Sequence, residues 1–189
     1  MNHRYLQKFQ IKDVVFLAIM SAVALATCAV MPLVISLQPL IFGISQLVTA
    51  LQIGVFFAIG LYKVRKPGSL LIMALMMGLI QLMMSPPMFL SSVLNGVLIE
   101  LIVLLLFRGY EKDAAVFVAA MLHTPLSLPF NYLYNRLIKG ADSPLAAVAD
   151  RAPLAAVGMT LAVVAVSALG ALIGIKIARE LKKSGVLKK

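Results

Sequence analysis

From Val14 to Tyr62 the chain carries no charged residue. That run is too long for one apolar helix and suits two, because a helix needs about 20 apolar residues to cross a hydrocarbon core of about 30 Å. The break falls between Met31-Pro32 and Gln38-Pro39, which predicts helices over 13–31 and 40–62. A third helix is expected over 69–84. It stops at Ser85-Pro86-Pro87, since proline lacks an N–H and blocks helical continuation. Further apolar stretches predict helices over 88–107, 114–135 and 153–178, the last opening at Pro153, a favoured helix-start residue. Six spans make the chain a single membrane domain over 1–189, without internal repeats. Met1 to Phe9 is basic but no small-residue cleavage site follows helix 1, so no removable signal peptide is expected.

Composition agrees with this pattern. The 189 residues are 62% hydrophobic and 13% charged, with mean hydropathy +1.01. A soluble domain carries about 25% charged residues, so a soluble globule, a disordered chain and a disulfide-stapled domain are all excluded. The net charge of +10 does not signal nucleic acid, because the basic residues punctuate apolar runs instead of forming a patch. Their distribution sets orientation. Fourteen of the 17 lie at the N-terminus, in the 2–3 and 4–5 loops and in the C-terminal tail; three, Arg136, Lys139 and Arg151, lie in the 5–6 connection. The positive-inside rule then puts both termini in the cytoplasm. The 1–2, 3–4 and 5–6 connections face outside a multi-pass plasma-membrane protein.

Ionisable residues inside a span are functional candidates by default, and here they are Glu100 and His123. Counting about 1.5 Å per residue puts Glu100 about 18 Å below the outer face and His123 about 13 Å above the inner one. The two depths match on neighbouring helices. A buried Glu100–His123 hydrogen bond would satisfy both groups; a proton relay or a ligand contact are the alternatives. On helix 5, Thr124, Ser127, Asn131 and Asn135 fall within about 80° of one another at 100° per residue. Pro125 and Pro129 free backbone carbonyls in the same segment, as a cavity wall tolerates. On helix 4, Ser91, Ser92 and Asn95 share the outer half. These residues predict a pocket between helices 4, 5 and 6. Asn95 and Asn131 would serve as amide partners, with Ser127 beside them, Tyr132 and Asn135 at the rim and His123 at the floor. Interhelical glue is the competing role for such amides, and it is the expected role of Gln52 and Gln81. No zinc set, acidic pair or phosphate loop is present. The chain is therefore expected to be no enzyme and to need no cofactor or metal.

Ala18, Ala22 and Ala26 recur every fourth residue on helix 1, and Ala165, Ala168, Gly170 and Gly174 form a related pattern on helix 6. Small residues at this spacing permit close helix approach. With its size, six helices and cytoplasmic termini, the chain resembles the substrate-binding membrane subunits, or S components, of energy-coupling-factor (ECF) vitamin transporters. Ala18-Ile-Met-Ser-Ala22 and the closing run Ala168-Leu-Gly-Ala-Leu-Ile-Gly174 with its lysine tail carry the likeness. It implies docking through Ala18, Ala22 and Ala26 to a transmembrane coupling subunit, which works with two ATPase subunits. The segments Tyr62-Lys-Val-Arg-Lys-Pro-Gly68 and Asn95-Gly-Val-Leu-Ile-Glu100 are similar to the branch associated with thiamine precursors. The chain has no Trp, whereas many members stack a flat vitamin on tryptophan, so a bulkier ligand such as cobalamin stays open. A stand-alone carrier using Glu100 and His123 for proton coupling, and a ligand-free membrane scaffold, are the competing functions.

Overall fold

The computed structural model describes residues 8–28, 34, 36–140 and 143–187. Among the described residues the chain is all-helical: α1 (Ile11–Thr27), α2 (Ile44–Lys63), α3 (Ser69–Leu82), α4 (Pro86–Phe107), α5 (Asp113–Leu137), α6 (Pro144–Arg151) and α7 (Pro153–Lys183). The six expected helices correspond to α1–α5 and α7. Four of these, α2, α4, α5 and α7, are long and apolar enough to cross a membrane. With 14 and 17 residues, α3 and α1 span about 21 and 26 Å, short of a core about 30 Å thick. The short amphipathic α6 falls where the sequence pattern predicted only a connection.

Local chemistry sets these boundaries. Asp13 Oδ2 accepts the Gln10 N–H at 3.1 Å and satisfies a free donor at the start of α1. Gly43 and Gly68, at φ +76° and +90°, turn the chain into α2 and α3. Prolines occupy the first turn of α4, α6 and α7, where a missing N–H costs nothing. The backbone of α5 remains helical through Pro125 and Pro129. The expected end of helix 1 at residues 29–31 and the Met31-Pro32 break lie outside the described residues, as do Arg4, Asp142, Lys188 and Lys189.

In lipid, helices associate through close packing more than through the hydrophobic effect, and glycine decides where backbones meet. A Cβ on Gly170 would lie 2.5 Å from the Leu51 carbonyl oxygen, one on Gly174 2.4 Å from that of Val55, and one on Gly54 2.9 Å from that of Ser167. So α7 lies directly on α2, and its two glycines pack inside the bundle. Ala165, of the same sequence pattern, is exposed. On the other side, Gly96 of α4 meets Ala74 of α3, and Ser92 Oγ donates to the Ala74 carbonyl at 2.9 Å. An apolar core that includes Leu17, Phe57, Leu61, Met73, Ile99 and Val103 fills the half of the bundle nearest the 2–3 and 4–5 loops. The exterior is apolar as well, with Leu101, Leu105 and Leu106 of α4 and Leu161, Leu169 and Leu172 of α7 exposed.

Ion pairs knit the basic end. Lys66 Nζ meets Asp13 at 2.6 Å. Asp113, first residue of α5, pairs with Arg65 and with Arg179 of α7. Residues that mark orientation in the sequence thus also clamp α1, α5 and α7 to the 2–3 loop.

Gly174→Val should lower stability by about 1–3 kcal/mol, because the obstacle is rigid backbone. Gly158→Ala, on the same helix with nothing within 4 Å of its added Cβ, should raise it by about 0.4–1 kcal/mol. Thermal unfolding of the purified protein in detergent compares the two.

Candidate functional site

Opposite the basic end lies a cavity of about 650 Å³. Five helices wall it, the shortest of them, α6, through Pro144 and Leu145. α2 supplies Ser45, Gln46, Thr49 and Ile53, and α3 supplies Met77 and Gln81. α4 contributes Ser91, Ser92 and Asn95; α5 contributes His123, Thr124, Ser127, Asn131, Tyr134 and Asn135. Gln38, Ser85, Lys139 and Ser143, from the 1–2, 3–4 and 5–6 connections, lie at the rim. Ser85 and Asn95 are ten residues apart, so the cavity reaches about 15 Å along α4.

The polar face of α5 is where the helical arithmetic predicted it, since Thr124, Ser127, Asn131 and Asn135 share this cavity. Ser127 Oγ donates to the Thr124 carbonyl at 2.7 Å. Asn135 is occupied by its own structure: Nδ2 donates to the Asn131 carbonyl at 2.8 Å, and Oδ1 accepts from Ser143 at 2.9 Å. Asn135 therefore ties the 5–6 connection to α5. Tyr132 is not part of the lining; its hydroxyl donates to Asp150 at 2.8 Å, beside the Arg136–Asp150 pair. Its neighbour Tyr134 lines the cavity instead.

Three corrections follow from the geometry. The sixth helix, α7, contributes no lining residue among those described, because its glycines hold it behind α2. Its place is taken by α2 and α3, so Gln81 belongs to the cavity lining. Ser45, Gln46 and Thr49 were the missed signal, three polar residues within two turns of an otherwise apolar helix. They form a rim network: Gln38 donates to Ser45, and Ser45 Oγ donates to Gln46 Oε1 at 2.8 Å.

The third correction concerns the expected Glu100–His123 pair, which does not form. Glu100 Oε1 accepts the Gly68 N–H at 2.6 Å, and Oε2 accepts the Tyr110 hydroxyl at 2.9 Å. The N-terminus of α3 has no side-chain cap of its own. A carboxylate from α4 supplies the acceptor that its free N–H groups and partial positive charge favour. Burial, and then the adjacent Glu100 carboxylate, hold the Tyr110 phenol well above its usual pKa, so it stays protonated and donates. Matching depths did not reveal these partners because both come from loops. Glu100 and the Tyr62–Gly68 segment thus meet at the basic end, and neither lines the cavity.

His123 is left without a partner. Its ring packs on Phe57 with centroids 4.4 Å apart, and neither ring nitrogen has a hydrogen bond among the described residues. Asn95 Oδ1 and Thr124 Oγ1 share that condition. His123, Asn95 and Thr124 are 5%, 1% and 3% exposed. Gln52 Oε1, outside the lining, also has no partner among the described residues, so the expected interhelical bond of Gln52 is not seen at that atom. Buried polar groups are nearly always paired, so three residues with unsatisfied atoms in the inner wall of one cavity make that wall the candidate site.

On α1 the alanine seam faces outward, with Ala22 and Ala26 exposed and Ala18 half-buried. Internal packing is carried by Ser21, whose hydroxyl donates to Met73 O at 3.1 Å.

The family model that matches residues 11–183 is that of a hypothetical bacterial integral membrane protein, Trep_Strep. The chain belongs to the Trep_Strep family. The apolar exterior of this Trep_Strep protein is accordingly the surface of a membrane-embedded bundle. No curated protein and no solved structure matches the chain.

Tyr110→Phe should cost about 1–3 kcal/mol, since it removes a donor from a buried carboxylate. Asn95→Ala, which deletes an acceptor that has no partner, should leave the unfolding midpoint unchanged or raise it. A drop for Asn95→Ala as large as that for Tyr110→Phe would make Asn95 structural.

Proposed function

We propose that this Trep_Strep protein is the substrate-binding S component of an ECF-type importer for a vitamin or vitamin precursor. The observation that carries the reading is the cavity. Its largely apolar wall carries several amides and hydroxyls, it opens beside three connections, and it ends on polar atoms without a partner among the described residues, with an apolar core beyond them. Ligand pockets of about 300–1,000 Å³ with a few fixed polar groups suit small molecules. A pocket closed at one end captures its ligand, and moving that ligand onward needs work from another subunit. In this reading a transmembrane coupling subunit and two ATPase subunits supply that work, and the chain catalyses no reaction.

The bundle crosses the plasma membrane six times with both termini in the cytoplasm, so the cavity opens outward. The short α1 and α3 are accommodated by bilayer thinning or by snorkelling of flanking residues. Ala18, Ala22 and Ala26 form the docking face, and the exposure of Ala22 and Ala26 leaves room for a helix of the coupling subunit. Thiamine-related compounds and cobalamin are the ligands the resemblance brings forward. A proton-coupled carrier would need Glu100 and His123 to exchange a proton, yet Glu100 is held by Gly68 and Tyr110.

Replacing Ala18 and Ala22 together by leucine should leave vitamin binding intact and abolish uptake, because the added bulk blocks close helix approach. Uptake in cells and equilibrium binding to the purified protein are compared. Normal uptake with the double variant present in the membrane would remove the docking role.

A further inference from the structure

The inner wall of the cavity limits what can occupy it. A neutral imidazole offers one donor and one acceptor, an amide oxygen only accepts, and a threonine hydroxyl does both. The unpartnered atoms of His123, Asn95 and Thr124 therefore ask the ligand for at least one acceptor and at least one donor. Reversing the Asn95 amide leaves this demand in place, because the imidazole alone requires both. A carboxylate supplies acceptors only, and an ammonium supplies donors only. A carboxamide, lactam or imide presents both on one edge.

Charge gives a second, independent limit. Among the described residues that line the cavity none is acidic, and the sole charged one is Lys139 at the rim. Tyr134 is the one Phe or Tyr among them, and its ring already carries the Lys139 ammonium 5.8 Å from its centroid. A permanent cation desolvated here would find neither a counter-charge nor a free aromatic face.

We propose that the cavity takes a ligand without positive charge, whose inner end is a carboxamide, lactam or imide edge held by Asn95, Thr124 and His123. This rests on the reading of the cavity as a ligand site. It sets a thiazolium cation such as thiamine apart from uncharged or anionic ligands that carry amides.

Equilibrium binding to the purified full chain with two probe sets tests it. The first set is nicotinamide, riboflavin and cyanocobalamin. The second is thiamine, choline and 1-methylnicotinamide, which keeps the carboxamide of nicotinamide but adds a permanent positive charge. The expected result is binding from the first set alone. Thr124→Val or Asn95→Ala should weaken it about tenfold or more, and Gln52→Ala, outside the lining, should not. Thr124→Val keeps side-chain shape, so it decides the matter if Asn95→Ala fails to fold. A cation binding as tightly as any amide-bearing probe overturns the proposal and leaves the ligand-site reading standing. So does amide binding that is indifferent to both variants. Binding of neither set to a cooperatively folded chain overturns the ligand-site reading, and the proposal with it.

Discussion

The close contact of α7 with α2 through Gly54, Gly170 and Gly174 is the constraint on which the rest of the structure depends. With backbone resting on backbone, one face of α2 is consumed by α7. Its opposite face, bearing Ser45, Gln46 and Thr49, looks across the cavity at α3, α4 and α5. Those helices present amides and hydroxyls of their own. Polar faces turned toward one another in an apolar medium are stable only if they are paired or hold a guest. The cavity is thus a consequence of where glycine allows the helices to touch.

The two ends of the bundle divide the work. At the basic end, Asp13, Glu100 and Asp113 each bind groups from the neighbouring loops, and the core beneath is filled with Leu, Phe, Met and Val. Both oxygens of the buried Glu100 carboxylate have donors, which gives rigidity. At the other end, Asn95 Oδ1, Thr124 Oγ1 and both ring nitrogens of His123 have no partner among the described residues. Unsatisfied groups of this kind cost stability, about 1–3 kcal/mol each, and a ligand that completes them recovers that cost on binding. Rigidity at one end and unmet demand at the other is the feature on which the proposed role as a binding subunit rests.

Much of this was legible in the residues. Proline positions and the limits of the apolar runs located the helices to within a few residues, and the 3.6-residue period placed Thr124, Ser127, Asn131 and Asn135 on one wall. What periodicity does not carry is azimuth between helices. Glu100 and His123 matched in depth, yet Gly68 and Tyr110 reached the carboxylate first, because loop groups have no place in a count of helical rise. The displacement of α7 from the cavity was equally hidden. Gly170 and Gly174 announced a close approach without naming α2 as its partner. The eight-residue α6 was invisible because its alternation is too short to separate from a connection.

The central claim is that this cavity holds one small molecule tightly. Native mass spectrometry of the chain, extracted gently from the membranes in which it is made, reads that claim directly. One uncharged or anionic small molecule per chain, absent when Thr124→Val is prepared in the same way, is the predicted result. The bare chain mass alone, from protein that still unfolds cooperatively, would contradict it.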